Sequence, residues 1–116
     1  MGKKLEDLQS VTDLDRAMFE SSERPVLFFK HSLTCSISTR AFSELQSYLN
    51  NADPRVSYKL ITVQRAREVS DEAAFRLQLE HESPQAILVR NGHELWNASH
   101  SDITAEALDQ AIKTTV

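Results

Sequence analysis

A change of hydrophobic period across residues 26–63 constrains the fold of this chain more than any other feature. Val26-Leu27-Phe28-Phe29 is an unbroken apolar run, the pattern of a strand covered on both faces. After Cys35 the spacing turns helical. Ile37, Ala41, Phe42, Leu45, Tyr48 and Leu49 recur on one side, with Arg40, Glu44 and Gln46 between them. The pattern ends near Asn50-Asn51, ahead of Asp53-Pro54, and residues 56–63 return to β-branched and aromatic composition. Strand, helix and strand make a βαβ unit, which is expected to be parallel and right-handed.

The flanking segments supply the remaining elements. Residues 5–10 are expected to form a short edge strand. Thr12-Asp13-Leu14-Asp15 reads as a helix start with Thr12 as N-cap and acids near the dipole's positive end; Leu14, Ala17 and Met18 form its inner stripe. Ser21-Ser22-Glu23-Arg24-Pro25 breaks that helix. Ser70-Asp71-Glu72 opens a third helix with Ser70 as N-cap and Ala73, Ala74 and Leu77 inward. Ser83-Pro84-Gln85 then leads into the strand Ala86-Ile87-Leu88-Val89. Asn91-Gly92 is a type I′ hairpin signal, and residues 93–98 form the returning strand. The last helix starts at Thr104, with Ile103 and Leu108 placed as a hydrophobic staple and Ala107, Leu108, Ala111 and Ile112 inward. This order resembles the thioredoxin layout: an α/β fold, residues 1–116 as a single thioredoxin-like domain, with a central mixed sheet of about four to five strands flanked by helices on both faces.

Charge and cysteine usage narrow the function classes. The net charge is −4, with 13 basic and 17 acidic side chains interspersed, which argues against a nucleic-acid or anionic-membrane surface. No apolar run approaches membrane-spanning length, and Met-Gly-Lys-Lys-Leu-Glu-Asp lacks the apolar core of a secretory signal. The sequence holds one cysteine, Cys35, so a cytoplasmic setting is expected and any disulfide it makes joins another molecule.

Three local features make Cys35 a candidate redox nucleophile. It stands at the start of the crossover helix, where unpaired N–H groups favour a thiolate. Ser38 stands three residues on, making Cys-x-x-Ser, and shares a helix face from which its hydroxyl could donate to the sulfur. Ser83-Pro84 precedes a strand about fifty residues later, where the thioredoxin layout sets a proline loop beside the cysteine. Each has a plainer explanation: a free cysteine is commonly a small buried hydrophobe, serine is common in a first helical turn, and proline before a strand is an ordinary breaker. Paired His/Cys spacing of the kind that binds metal is lacking around His31, His81, His93 and His100, so no metal site is expected.

Phe29-Lys30-His31-Ser32, Thr34-Cys35-Ser36-Ile37-Ser38, His81-Glu82-Ser83-Pro84-Gln85, Asn91-Gly92 and Trp96-Asn97-Ala98-Ser99-His100 together resemble the YtxJ family. These are thioredoxin-like monothiol bacilliredoxins of bacteria that use bacillithiol as their low-molecular-weight thiol. The resemblance spans about residues 25–104 and implies a glutaredoxin-like, monothiol thiol–disulfide oxidoreductase that reduces protein–bacillithiol mixed disulfides. It implies Cys35 and Ser38 as catalytic residues, and Thr34, Ser36, Ile37, Ser83, Pro84, Gln85, Lys30 and Arg40 as substrate- or thiol-binding residues. Lys30, His31 and Arg40 are the nearby cations for the thiolate or for the malate group of bacillithiol. No tightly bound cofactor is implied; bacillithiol is the co-substrate, bacillithiolated proteins are the partners, and the chain is expected to be a monomer or weak dimer. The family reads Thr-Cys-Pro-Ile-Ser, and Ser36 here replaces the proline, retaining a backbone N–H and loosening the turn. The alternative is a non-catalytic thioredoxin-like redox sensor or protein-interaction module. One-cysteine peroxidase chemistry, or iron–sulfur binding by a dimer, has weaker support.

Overall fold

The computed structural model describes residues 5–115. Its elements in order are β1 (Leu5–Asp7), α1 (Val11–Glu20), β2 (Val26–His31), α2 (Ser36–Leu49), β3 (Ser57–Thr62), α3 (Arg67–Leu77), β4 (Gln85–Arg90), β5 (His93–Ser99), a one-turn 3-10 helix (His100–Asp102) and α4 (Ala105–Thr115). The apolar run of β2 is the middle of a five-stranded mixed sheet ordered β1-β3-β2-β4-β5. β2 pairs parallel with β3 and antiparallel with β4, while β1 runs parallel to β3 at one edge.

Side-chain alternation along β2 divides the core in two. Leu27 and Phe29 pack with Ala41, Leu45, Tyr48 and Leu49 of α2 and with Leu108 and Ile112 of α4. Val26 and Phe28 pack on the other face with Leu14 and Ala17 of α1 and Val69, Ala73 and Leu77 of α3. Both faces are covered, which is why the run carries no polar alternation. The strand extends two residues past the apolar run, through Lys30 and His31, and these point to opposite faces.

Two helix starts differ from the expectation. α1 is capped by Ser10 rather than Thr12: Ser10 Oγ accepts the Asp13 N–H at 3.1 Å while the Asp13 carboxylate accepts the Ser10 N–H at 3.3 Å and the Gln9 N–H at 2.9 Å. This reciprocal capping box pairs two otherwise open donors, which a Thr12 cap would leave unmet. α3 begins at Arg67, a turn ahead of Ser70, with no side-chain cap. Ser70 lies fully buried on its inner stripe, beside Val69, Ala73 and Leu77, and Ala74 is only half-buried. α4 begins as expected, with the Ala107 N–H donating to Thr104 Oγ1 at 3.0 Å and Ile103 and Leu108 both buried in one cluster.

The β4–β5 turn has Asn91 at φ 54° and Gly92 at φ 73°, the left-handed pair a type I′ turn requires. Buried Ser21 ties it to the end of α1, accepting from Asn91 N–H through its carbonyl at 2.7 Å and from Gly92 N–H through Oγ at 2.9 Å. Among the described residues no helix is long and apolar enough to cross a membrane.

Candidate active site

The antiparallel pairing of β2 with β4 sets Lys30 opposite Gln85, so the carboxyl end of β2 and the amino end of β4 share one edge of the molecule. The Ser32–Cys35 segment leaves β2 there, and the loop carrying Pro84 enters β4 there. The Ser83–Pro84 peptide is cis. Residues following β5 brace that loop: the His100 N–H donates to Pro84 O at 3.0 Å, and His100 Nε2 lies 2.8 Å from Glu82 Oε1. The two family-like strings, 81–85 and 96–100, are thus in direct contact.

Cys35 is half-buried and is itself the N-cap of α2, with φ −108° and ψ 123°. Its carbonyl accepts the Thr39 N–H at 3.1 Å, while no side chain caps the helix. Its thiol therefore stands at the open N-terminus of a 14-residue helix. Leu33 and Ile37 flank it, 49% and 46% exposed, and Thr34 and Ser36 are also exposed.

Ser38 behaves differently from the expectation of a hydroxyl donating to sulfur. It is 0% exposed; its Oγ accepts the Ser32 N–H at 2.8 Å and lies 2.9 Å from His31 Nδ1. Among the described residues no hydrogen bond joins it to Cys35. The loop's buried N–H needs an acceptor, and that need turns Ser38 inward. His31 ends β2 half-buried, its ring stacked on Phe42 with centroids 4.7 Å apart, and burial holds its pKa below the ordinary value.

Lys30 does not present a cation to a thiol. It is 0% exposed on the sheet face covered by α1 and α3, with Nζ 3.1 Å from His81 Nδ1. Arg40 remains an exposed cation on α2, with no ion pair among the described residues. Gln85 is 3% exposed and donates to Glu80 O at 3.3 Å. Gln85 Oε1 and Ser83 Oγ, on either side of Pro84, are buried without a partner among the described residues.

Gln64, which no sequence pattern singled out, clamps the segment ahead of the thiol. Its Oε1 accepts the Leu33 N–H at 3.0 Å, and its Nε2 donates to Ser32 Oγ at 2.9 Å and Thr34 Oγ1 at 3.4 Å. The only signal for it is register: β2 and β3 end together at His31 and Thr62, so position 64 emerges beside residues 32–34.

Comparison with known proteins agrees with this arrangement. The family model for monothiol bacilliredoxin BrxC matches residues 6–108. A solved protein described as having a thioredoxin fold is 32% identical, with 93% of each chain covered and a TM-score of 0.81. Fasciola hepatica thioredoxin is 14% identical over 96% of this chain and 99% of its own, with a TM-score of 0.77. Trypanosoma brucei brucei thioredoxin is 17% identical over 98% and 92%, with a TM-score of 0.76. The two thioredoxins share the fold alone. With its lone cysteine at the helix N-terminus of a thioredoxin fold, the chain belongs to the monothiol bacilliredoxin family and has a thiol redox role.

Proposed function

We propose that the protein reduces mixed disulfides between proteins and bacillithiol. The observation that carries this reading is Cys35 itself: partly exposed, at the uncapped start of α2, in a chain with no second cysteine. The Cys35 thiolate attacks the bacillithiol sulfur of the mixed disulfide. The protein–bacillithiol S–S bond breaks, the client protein leaves as a thiolate that takes up a proton, and a Cys35–bacillithiol S–S bond forms. The client sulfur is reduced and Cys35 is oxidised. A second bacillithiol thiolate attacks this bond, frees Cys35 and leaves as bacillithiol disulfide.

In this reading Thr34, Ser36 and Ile37 beside the thiol and the Ser83-Pro84 segment at the same edge of the sheet receive the incoming disulfide, while Gln85, buried and donating to Glu80 O, supports that segment from within. Ser36 brings a backbone N–H that proline would lack. Arg40 is the exposed cation suited to the malate carboxylates. The test mixes the protein with a bacillithiolated client and follows both by intact mass. Wild-type protein gains one bacillithiol at Cys35 as the client loses one, and Cys35→Ser gains none. A client that keeps its adduct while Cys35 stays unmodified overturns the proposal.

A further inference from the structure

Beneath the candidate site, on the α1/α3 face of the sheet, lies a polar cluster that the exchange chemistry does not use. Lys30 is fully buried, and none of the ion pairs among the described residues includes it, Asp71 acting on it only at longer range. Its Nζ is instead 3.1 Å from His81 Nδ1, and Ser70 Oγ, buried on α3, is 3.3 Å from the same nitrogen. Gln85, the cross-strand partner of Lys30, donates to Glu80 O. β2, α3 and β4 therefore all converge on Glu80 and His81, in the loop that leads to Pro84.

A buried ammonium is costly to desolvate and needs a strong acceptor. A neutral imidazole supplies one when its proton sits on Nε2 and Nδ1 accepts. Burial pushes Lys30 down to about 8, opposed by Asp71, and burial together with the Lys30 charge holds His81 below the usual histidine range. At neutral pH the pair thus carries its charge on Lys30.

We propose that Lys30 is a positioning residue that acts through His81 to hold the Pro84 loop against the end of β2, and that protonation of His81 releases this hold. The proposal rests on reading Cys35 as the exchange nucleophile. The charged groups facing His81 are Lys30 on β2, Arg67 and Asp71 on α3, and Glu82 on its own loop, which is engaged by His100. Ser70 and Gln85 are polar neighbours that do not titrate. A second proton on His81 turns Nδ1 into a donor that faces the Lys30 ammonium and the Ser70 hydroxyl. Two positive groups then stand in contact; Ser70 Oγ can accept from Nδ1–H, but Lys30 loses its acceptor and the like charges repel. His81 is exposed on its outer side, so it swings into water. The loop keeps its ties to Gln85 and His100 but loses its tie to β2.

The test compares wild type, Lys30→Met and His81→Asn between about pH 5 and 8, where histidine titrates. Two readouts are taken: the rate at which Cys35 exchanges with a bacillithiolated protein, and the titration of the His81 ring by NMR. In wild type, exchange falls on the acid side in step with His81 protonation. His81→Asn offers Lys30 an amide oxygen that cannot titrate, and it loses that step. Lys30→Met removes the like charge, so His81 titrates at higher pH, and exchange at neutral pH falls severalfold. The proposal is overturned if His81→Asn keeps the same acid step, or if His81 titrates identically in Lys30→Met. Should Lys30→Met fail to fold, His81→Asn decides alone. If wild-type Cys35 exchanges with no disulfide at any pH, the exchange reading falls, and the NMR comparison decides whether the latch exists.

Discussion

At the residue scale, Cys35 was legible because it is the lone thiol and lies where one hydrophobic period gives way to another. Its supports were not. Ser38 drew notice for its spacing from the thiol, but its hydroxyl serves the Ser32 N–H and His31. Ser38→Ala is therefore expected to strand a buried donor and destabilise the fold by about 1–3 kcal/mol, measured by urea denaturation. A hydroxyl that served only the sulfur would leave the urea midpoint unmoved. Gln64→Ala removes three bonds from an exposed side chain that holds residues 32–34. It should slow Cys35 exchange severalfold with little change in Tm, because the loss loosens a surface loop rather than the core. Arg40→Ala should raise KM for a bacillithiolated client while leaving the reaction with a small uncharged disulfide as it was.

At the element scale, the strand and helix pattern followed directly from periodicity, whereas the helix starts depended on which of several similar signals was engaged. Ser10-x-x-Asp13 and Thr12-Asp13 both look like starts, and reciprocal bonding selects the first. Ser10→Ala should cost about 1 kcal/mol and Thr12→Ala only a few tenths, read from urea midpoints of the two variants. Ser70 misled for a deeper reason. Its neighbours Asp71 and Glu72 complete a cap-like string, but the inner stripe of α3 passes through position 70 and its hydroxyl is held by His81. A residue type suited to capping is also suited to pairing with the inward-facing nitrogen of an imidazole, and only packing chooses between them.

At the scale of the whole molecule, buried basic groups give stability an unusual dependence on pH. His31 and His81 both titrate below the ordinary histidine value when folded. As pH falls through about 6.5 the unfolded chain takes up protons the folded chain does not, so stability drops on the acid side. Lys30 is lowered from 10.5 to about 8. Between those values the unfolded chain again holds the extra proton, so stability from this group rises with pH, by at most about 3 kcal/mol. Lys30→Met should abolish that alkaline rise, as a series of urea midpoints from pH 8 to 10.5 would show. A Lys30→Met curve parallel to wild type would mean that Lys30 is not buried as an ammonium.

The sequence by itself determined the element types, the βαβ unit, the hairpin and the place of the thiol. These follow from periodicity, turn chemistry and cysteine count, all of which are local. Tertiary structure decided that Lys30 faces inward rather than toward a thiol, that Ser38 braces a loop, and that Gln64 and His81 belong to the site's surroundings. Each of those depends on strand register, which sets residues 30 and 85, and 31 and 62, side by side. One residue's difference in register reverses the face of a side chain, and a strand buried on both faces, as β2 is, carries no polar alternation to mark which face is which.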